Sequence, residues 1–217
     1  MNGESRQSIL IIDDHPLFRK GVVQLLAMDN IFEVVGEAAS GSEGYELALT
    51  LRPDIILLDL DMHGMSGIET LKAIRATDID SRIIVLTVSD SEEDVLSALR
   101  AGAEGYLLKD MEPEDLLASL KTAAHGRTVL SDKLVGMLAH ALRADQHGAL
   151  ADQSALTSRE QAILTRIAQG KSNKLIAREL GIAEGTVKVH VKHMLKKLHL
   201  RSRVEAAVWA VEQTRKG

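Results

Sequence analysis

The segment ILIIDD at residues 9–14 decides the fold, because a run of four apolar residues is closed there by two aspartates. An apolar run closed by a polar or charged residue returns in IILLD at 55–59, IIVLT at 83–87 and YLLK at 106–109. Short apolar runs bounded in this way predict buried β-strands. Each strand therefore brings a chemically active side chain to its carboxyl end.

Amphipathic helical spacing separates these runs, so that strand and helix alternate five times between Ser8 and about Gly126. Regular alternation predicts a parallel sheet with helices on both faces, and hence an α/β domain of the flavodoxin-like (βα)5 kind. The predicted helices lie near residues 16–28, 42–51, 67–77, 91–101 and 112–125. Gly102 and Gly126 fall where two of these helices are expected to end.

The rest of the chain has no strand pattern. The apolar period at residues 131–143 predicts a helix that leads out of the first domain, and residues 144–155 have the composition of a flexible linker. Four helical signals follow between residues 156 and 213. We therefore place the first domain at residues 1–130, the helix and linker at 131–155, and a smaller all-α domain at 156–217.

Charge is divided unevenly along the chain. Residues 1–150 carry 13 Lys and Arg against 25 Asp and Glu, a net charge of −12, whereas residues 151–217 carry 13 against 6, a net charge of +7. The acidic part suits cation binding, and the basic part suits a polyanion such as nucleic acid. The chain has no cysteine and no apolar stretch long enough to cross a bilayer. We therefore expect a cytoplasmic protein without disulfides, thiol catalysis or membrane contact.

The side chains that close the strands are those of a phosphoryl-transfer site. Residues just past the carboxyl ends of parallel strands share one crevice, so these side chains are expected to meet. Carboxylates suit Mg²⁺, and an aspartate is a competent nucleophile toward phosphorus. Asp59 stands alone after its strand and is the predicted phosphoacceptor, whereas adjacent Asp13 and Asp14 are the predicted metal pair. Lys109 and the Thr87 hydroxyl are placed to bind phosphoryl oxygens.

The segment NKLIARELGIAEGTVKVHVKHMLKKL at residues 173–198 has the form of a helix-turn-helix, with Gly181 in the turn. The start of the second helix in such a unit enters the major groove of DNA. Lysines with an apolar residue between them suit guanine acceptors and a thymine methyl group, and further cations suit phosphates. The predicted DNA contacts are Lys188, Val189, Lys192, His193, Lys196, Lys197, Arg201 and Arg203.

The last helical segment carries an apolar stripe that includes Val204, Val208 and Val211, with Trp209 nearby. Two interpretations stay open for this stripe. It is either part of the core of the small domain or a contact between two copies of the chain.

Residues 8–126 resemble the receiver domain of bacterial two-component response regulators through the aspartates and lysine described above and through the segments LTVSD and YLLKD. The resemblance implies that Asp59 accepts a phosphoryl group from a phosphohistidine on a sensor histidine kinase. It also implies that Asp14, Asp59 and the backbone carbonyl of Asp61 hold Mg²⁺. Tyr106 would be the aromatic side chain that moves with Thr87.

Residues 156–213 resemble the LuxR/FixJ-type output domain along LTSREQAILTRIAQGKSNKLIARELGIAEGTVKVHVKHMLKKL. Both resemblances together imply a transcription factor and not an enzyme. This transcription factor would bind inverted half-sites of double-stranded DNA as a phosphorylated homodimer. The segment IDDHPLFRKGV is similar to that of nitrate- and nitrite-responsive members of the family, which implies control of anaerobic respiration. At rest, the acidic receiver is expected to dock on the basic domain and cover the recognition helix.

Three residues depart from what is common in this family: Asp61 replaces Asn, His63 replaces Pro, and Gly185 replaces Ser or Gln. We hypothesise that Asp61 alters the lifetime of the phosphorylated state, and we interpret His15 and His63 as structural or solvated. Two alternatives stay open. One is a phosphohydrolase of the haloacid dehalogenase kind, with Asp59 and Asp61 as its Asp-x-Asp pair. The other is a DNA-binding regulator that works without phosphorylation.

Overall fold

A computed structural model of the chain describes residues 6–124, 129, 156–200 and 202–216. The chain divides into two compact units, Met1–Ala124 and His125–Gly217. The predicted helix and linker at 131–155 and the predicted helix stop at Gly126 lie outside the described residues. Among the helices that the structure describes, none has the length and apolar character needed to span a membrane.

The first unit alternates strands and helices along the chain. Its strands are Gln7–Ile12 (β1), Phe32–Ala38 (β2), Ile55–Leu58 (β3), Arg82–Thr87 (β4) and Gly105–Leu108 (β5). Its helices are Pro16–Ala27 (α1), Gly41–Leu51 (α2), Gly67–Arg75 (α3), Glu92–Ala101 (α4) and Pro113–Ala124 (α5). Each helix begins and ends within two residues of its predicted bounds.

The five strands form one parallel sheet in the order β2-β1-β3-β4-β5, which confirms the predicted flavodoxin-like α/β fold. The chain adds β2 on one side of β1 and then crosses to β3 on the other side. The carboxyl ends of β1 and β3 therefore form the switch point where open α/β sheets bind ligands. Ile12 pairs with Leu58 there, so the residues that follow these two strands emerge side by side.

The central strands β1 and β3 are buried along their apolar runs because helices cover both faces of the sheet. The pattern of apolar runs in the sequence did not predict the position of β2. This strand lies at an edge of the sheet, and its middle residues Val34 to Glu37 are only partly buried. Because these residues are only partly buried, the sequence FEVVGEA does not need a continuous apolar run.

Serine side chains start three helices of the first unit. Ser40, Ser66 and Ser91 each accept a hydrogen bond from the backbone N–H three residues further on, at the starts of α2, α3 and α4. Glu69 completes a capping box at α3. Gly102 ends α4 in the left-handed region with a φ of 107°, as its position in the sequence predicts.

The second unit contains four helices in its described residues: Ser158–Ala168 (α6), Asn173–Leu180 (α7), Glu184–Lys197 (α8) and Arg203–Lys216 (α9). Thr157 and Glu160 form a capping box at the start of α6. Gly181 makes the turn between α7 and α8 with a φ of 64°. The pair α7 and α8 confirms the predicted helix-turn-helix.

Gly67 lets α3 pack directly against the segment that carries Asp59. A Cβ atom at this position would lie 2.1 Å from the backbone oxygen of Asp59 and 2.6 Å from Cα of Leu60, which is far inside van der Waals contact. The Gly67 N–H also donates a hydrogen bond to the Leu60 backbone oxygen at 3.0 Å. A side chain here would therefore push α3 and the segment of Asp59 and Leu60 apart.

The substitution Gly67→Ala should lower the free energy of unfolding of the first unit by about 1–3 kcal/mol, because no rotamer change relieves a clash with backbone atoms. Gly21 in α1 is the matched control, since a Cβ atom there meets nothing within 4 Å. Gly21→Ala should raise the free energy of unfolding by about 0.5–1 kcal/mol. Urea denaturation followed by circular dichroism measures both. Wild-type stability in Gly67→Ala would refute the steric argument.

Candidate functional site

Asp59 is the centre of a charged cluster at the switch point of the sheet. The residue is 1% exposed. Lys109 Nζ donates a hydrogen bond to Asp59 Oδ2 at 2.7 Å and lies 2.8 Å from Asp13 Oδ2. The ring of Phe18 covers the same ammonium, with its centroid 4.7 Å from Nζ. One buried cation is therefore shared between two carboxylates that come from different strands.

Backbone hydrogen bonds place these side chains. The Asp59 N–H donates to the Ile12 backbone oxygen at 2.9 Å, and the Lys109 N–H donates to the Thr87 backbone oxygen at 2.9 Å. Both bonds continue the parallel pairing one residue past the strand ends. The register of the sheet therefore sets the distance between Asp59 and Lys109.

Two histidines contact Asp14, the neighbour of Asp13. His15 Nδ1 lies 2.9 Å from Asp14 Oδ1, 3.4 Å from Asp13 Oδ1 and 3.7 Å from Asp59 Oδ2. His63 lies 2.8 Å from Asp14 Oδ2 through Nδ1 and donates its backbone N–H to the same oxygen at 3.1 Å. The side chains of His15 and His63 are exposed, as expected for solvated residues, yet both contact the site through Asp14. His15 follows the two aspartates directly, whereas no sequence signal connects His63 with Asp14.

The carboxylates of the crevice have different electrostatic environments. Burial raises the pKa of Asp59 above its ordinary value of 3.8, and the hydrogen bond from Lys109 offsets this only in part. Burial acts in the same direction on Asp14, but the hydrogen bonds from His63 and the nearby His15 outweigh it and lower the pKa of Asp14. Asp14 therefore holds its negative charge more readily than Asp59 does.

The donor set fits a divalent metal ion. One ligand atom from each of Asp13, Asp14, His15 and Asp59 lies within 4.8 Å of the others. Asp14 Oδ1 is buried and accepts no hydrogen bond, so it is left for another partner. A set rich in carboxylate oxygens is what Mg²⁺ prefers in proteins. Asp61, the further predicted ligand, is exposed and adjoins the cluster through its N–H, which donates to Asp59 Oδ1 at 3.3 Å.

A chain of hydrogen bonds leads from Thr87 to α4. Thr87 is fully buried at the end of β4, and its Oγ1 accepts a hydrogen bond from the Ser89 N–H at 3.4 Å. The Tyr106 hydroxyl donates to the Ser89 backbone oxygen at 2.8 Å, and the Ser89 hydroxyl donates to Asp94 Oδ2 at 2.5 Å. Burial and nearby Asp94 raise the pKa of Tyr106 to about 12, so its hydroxyl stays protonated. No sequence signal singles out Ser89, because serine is a common turn residue after a strand.

The exposed face of α8 consists of residues spaced by three or four positions. Val187 and Met194 point into the core of the second unit, and Lys188 is partly buried beside them. The residues of the exposed face are Gly185, Thr186, Val189, Lys192, His193, Lys196 and Lys197. Five of the predicted DNA contacts therefore share one surface. Thr186 joins them although the sequence analysis did not select it.

Lys197 and Arg203, both predicted DNA contacts, also form contacts within the second unit. Lys197 Nζ donates to Glu160 Oε2 at 2.7 Å, and Glu160 is only 3% exposed. Arg203 donates to the Asn173 side chain at 2.8 Å and also to the backbone oxygen of Lys171. Both side chains therefore hold helices of the unit together, and their contact with DNA stays a prediction.

The apolar stripe of α9 lies mostly inside the second unit. Val204 and Val208 are buried, and α9 packs against α6. These two residues therefore belong to the core of the second unit and do not form a contact between two copies of the chain. Val211 is exposed and stays a predicted contact. The predicted DNA contact Arg201 lies outside the described residues.

The substitution Asp59→Asn should stabilise the first unit near neutral pH, by a free energy on the order of 1 kcal/mol. Folding raises the pKa of Asp59, so at pH values above its folded-state pKa the charged carboxylate lowers the free energy of unfolding. This destabilisation disappears as the pH falls toward 3.8, the ordinary pKa of aspartate. The gain should therefore shrink on acidification. Thermal denaturation in EDTA across the acid range measures it, with exposed Asp78→Asn as the control. A gain that is independent of pH would contradict the assignment to buried charge.

Two family models match the chain, one in each unit. The model of the response regulator receiver domain matches residues 9–121. The model of bacterial regulatory proteins of the luxR family matches residues 154–210.

Full-length relatives are similar over nearly the whole chain. The identity is 56% over 213 residues to the nitrate/nitrite response regulator protein NarL of Escherichia coli K12, covering 98% of this chain and 99% of the relative. It is 47% over 212 residues to a nitrate/nitrite response regulator protein homolog of Haemophilus influenzae, covering 98% and 100%. The solved structure of response regulator ChrA, from a heme-sensing two-component system, aligns over 98% of this chain and 99% of its own with 34% identity and a TM-score of 0.52.

Proposed function

The chain belongs to the bacterial response regulators that join a receiver domain to a luxR-family domain, and from this membership we propose that phosphorylation of Asp59 switches its binding to DNA. The observation that carries the proposal is the buried Asp59 carboxylate, held 2.7 Å from Lys109 at the switch point of the sheet. The same chain carries a helix-turn-helix whose second helix has an exposed basic face.

Phosphoryl transfer requires a nucleophilic oxygen, a cation for the incoming oxygens and a donor whose bond to phosphorus breaks. A carboxylate oxygen of Asp59 forms the bond to phosphorus while the bond between phosphorus and the donor nitrogen breaks. The nitrogen leaves with the electron pair and takes up a proton. Lys109 Nζ already lies within hydrogen-bonding distance of Asp59 Oδ2. After transfer it would donate to the phosphoryl oxygens.

Three aspartates, Asp13, Asp14 and Asp61, adjoin the acceptor Asp59. The residues that would hold a Mg²⁺ ion are Asp13, Asp14, Asp59 and Asp61. When bound, Mg²⁺ supplies positive charge that offsets the charge of the phosphoryl oxygens. Without such charge, the crevice would repel an anionic donor through its own carboxylates.

The phosphoryl signal would leave the crevice through Thr87. Thr87 Oγ1 accepts a hydrogen bond from the Ser89 N–H at 3.4 Å, so its own proton is available to a phosphoryl oxygen. A shift of Thr87 toward that oxygen would pull on Ser89, whose backbone oxygen is held by the Tyr106 hydroxyl at 2.8 Å. Repacking of Tyr106 would then favour the active form. A change from mostly inactive to mostly active requires about 5 kcal/mol of differential stabilisation.

The stimulus and the partners follow from the relatives. Identity of 56% to a nitrate/nitrite response regulator over nearly the whole chain supports a response to these anions, through a sensor histidine kinase, that controls genes of anaerobic respiration. Dimers with two-fold symmetry suit inverted half-sites on DNA. The net charges of −12 for residues 1–150 and +7 for residues 151–217 suit a cation-binding part and a DNA-binding part.

Incubation with Mg²⁺ and acetyl phosphate or phosphoramidate should add one phosphoryl group per chain and increase affinity for operator DNA. Asp59→Asn should lose both effects, whereas the control Asp78→Asn, an exposed aspartate, should keep them. Intact-mass spectrometry and fluorescence anisotropy with a duplex selected for tight binding measure the two effects.

Three results would oppose this function. An adduct in Asp59→Asn would exclude Asp59 as the acceptor, and an adduct without a gain in DNA affinity would exclude the switch. Multiple turnover on phosphate esters, instead of stoichiometric labelling, would favour the phosphohydrolase alternative. Residues 151–217 alone serve as the positive control for DNA binding and should bind without a phosphodonor, because they lack the receiver.

Lys192→Ala should weaken binding to the selected duplex by about 1–3 kcal/mol, with a smaller loss on random DNA, because Lys192 lies on the exposed face of α8. Lys197→Ala should instead lower the melting temperature, because it leaves the buried carboxylate of Glu160 without its cation. Anisotropy at fixed salt and thermal denaturation of both variants compare the two roles. Equal losses on both duplexes would make Lys192 a phosphate contact, and an unchanged melting temperature would remove the structural role of Lys197.

A further inference from the structure

Asp14 is held by a residue from the loop that follows Asp59. The His63 backbone N–H donates to Asp14 Oδ2 at 3.1 Å, and His63 Nδ1 lies 2.8 Å from the same oxygen. The imidazole itself is fully exposed, whereas the Asp14 side chain is mostly buried. Two donors of one residue therefore converge on one carboxylate oxygen.

The other oxygen of Asp14 has no such donor. Oδ1 is buried and accepts no hydrogen bond, although His15 Nδ1 lies 2.9 Å away. Because two contacts hold Oδ2, the plane of the carboxylate is set before any ion binds. A ligand oxygen that is oriented in advance binds a metal ion at a lower entropic cost.

We propose that His63 is a positioning residue for the divalent cation of the phosphoacceptor site, holding Asp14 through Oδ2 so that Oδ1 is left to ligate the ion. The inference rests on the proposed function, since it needs Asp14 as a metal ligand. Proline, which is common at this position in the family, has neither an N–H nor an imidazole and cannot make either contact. The cation affinity of this receiver therefore depends on a contact that receivers with proline lack.

His63 acts through Asp14 and not on the ion. The described donor atoms that lie within 4.8 Å of one another belong to Asp13, Asp14, His15 and Asp59, and His63 is not among them. Both contacts of His63 are with Asp14 Oδ2, whereas Oδ1 is the oxygen proposed to bind the ion. Removing His63 should therefore change how well Asp14 is oriented, without removing a ligand.

The test measures cation affinity with no phosphodonor present. Mn²⁺ binding by electron paramagnetic resonance, with Mg²⁺ as competitor, gives the dissociation constants of all variants at one fixed pH and ionic strength. His63→Pro removes both donors and should weaken binding about tenfold, as loss of a residue that orients a metal ligand typically does. His63→Ala keeps the N–H and should show a smaller loss. His63→Asn, whose amide lies near the place of Nδ1, should recover part of it.

Two controls separate this inference from the proposed function. Asp14→Asn should lose more affinity than any His63 variant, because it removes a ligand. His199→Asn removes an exposed imidazole from the second unit and should bind like wild type; asparagine suits its positive φ of 54°.

Each outcome decides one question. Wild-type protein that binds neither Mn²⁺ nor Mg²⁺ would contradict the proposed metal site itself. Binding that weakens in Asp14→Asn but stays at the wild-type level in His63→Pro and His63→Ala would overturn the positioning role alone. Circular dichroism checks folding, and if His63→Pro does not fold, the affinity of His63→Ala decides.

Discussion

The ammonium of Lys109, shared between Asp13 and Asp59, is the interaction on which the rest of the first unit's chemistry depends. Two carboxylates at the ends of β1 and β3 would repel each other in a crevice where Asp59 is buried. Lys109 lies 2.8 Å from one and 2.7 Å from the other, and its own side chain is almost fully buried. The parallel register of the sheet makes this arrangement possible, because it brings three separate strand ends together.

The same burial suits Asp59 to its proposed role as phosphoacceptor. A carboxylate with a raised pKa is poorly solvated, and a poorly solvated oxygen is a stronger nucleophile toward phosphorus than one surrounded by water. Asp14 is treated in the opposite way, since hydrogen bonds from His63 lower its pKa and keep it charged for a cation. One crevice therefore contains a carboxylate suited to bond formation and another suited to metal binding. The difference comes from their neighbours, not from their residue type.

In the second unit, charge serves two purposes that composition alone does not separate. Lys197 neutralises buried Glu160, which also caps α6 through Thr157, so this lysine ties the end of the recognition helix to the start of another helix. Lys192 and Lys196 lie on the exposed face of α8 and have solvent around them. The basic character of the unit is thus partly structural and partly available to a polyanion.

The sequence by itself determined the strands β1, β3, β4 and β5 and the helices between them, because an apolar run closed by a polar residue is a local pattern that burial enforces. It also determined which side chains stand at the strand ends. Only the tertiary structure located β2, whose middle residues are partly buried and form no continuous apolar run. Only the tertiary structure decided that His63 contacts Asp14, 49 residues away, and that Lys197 pairs with Glu160, 37 residues away. Such contacts depend on which loops and helices lie next to each other after folding, and local periodicity in the sequence does not predict them.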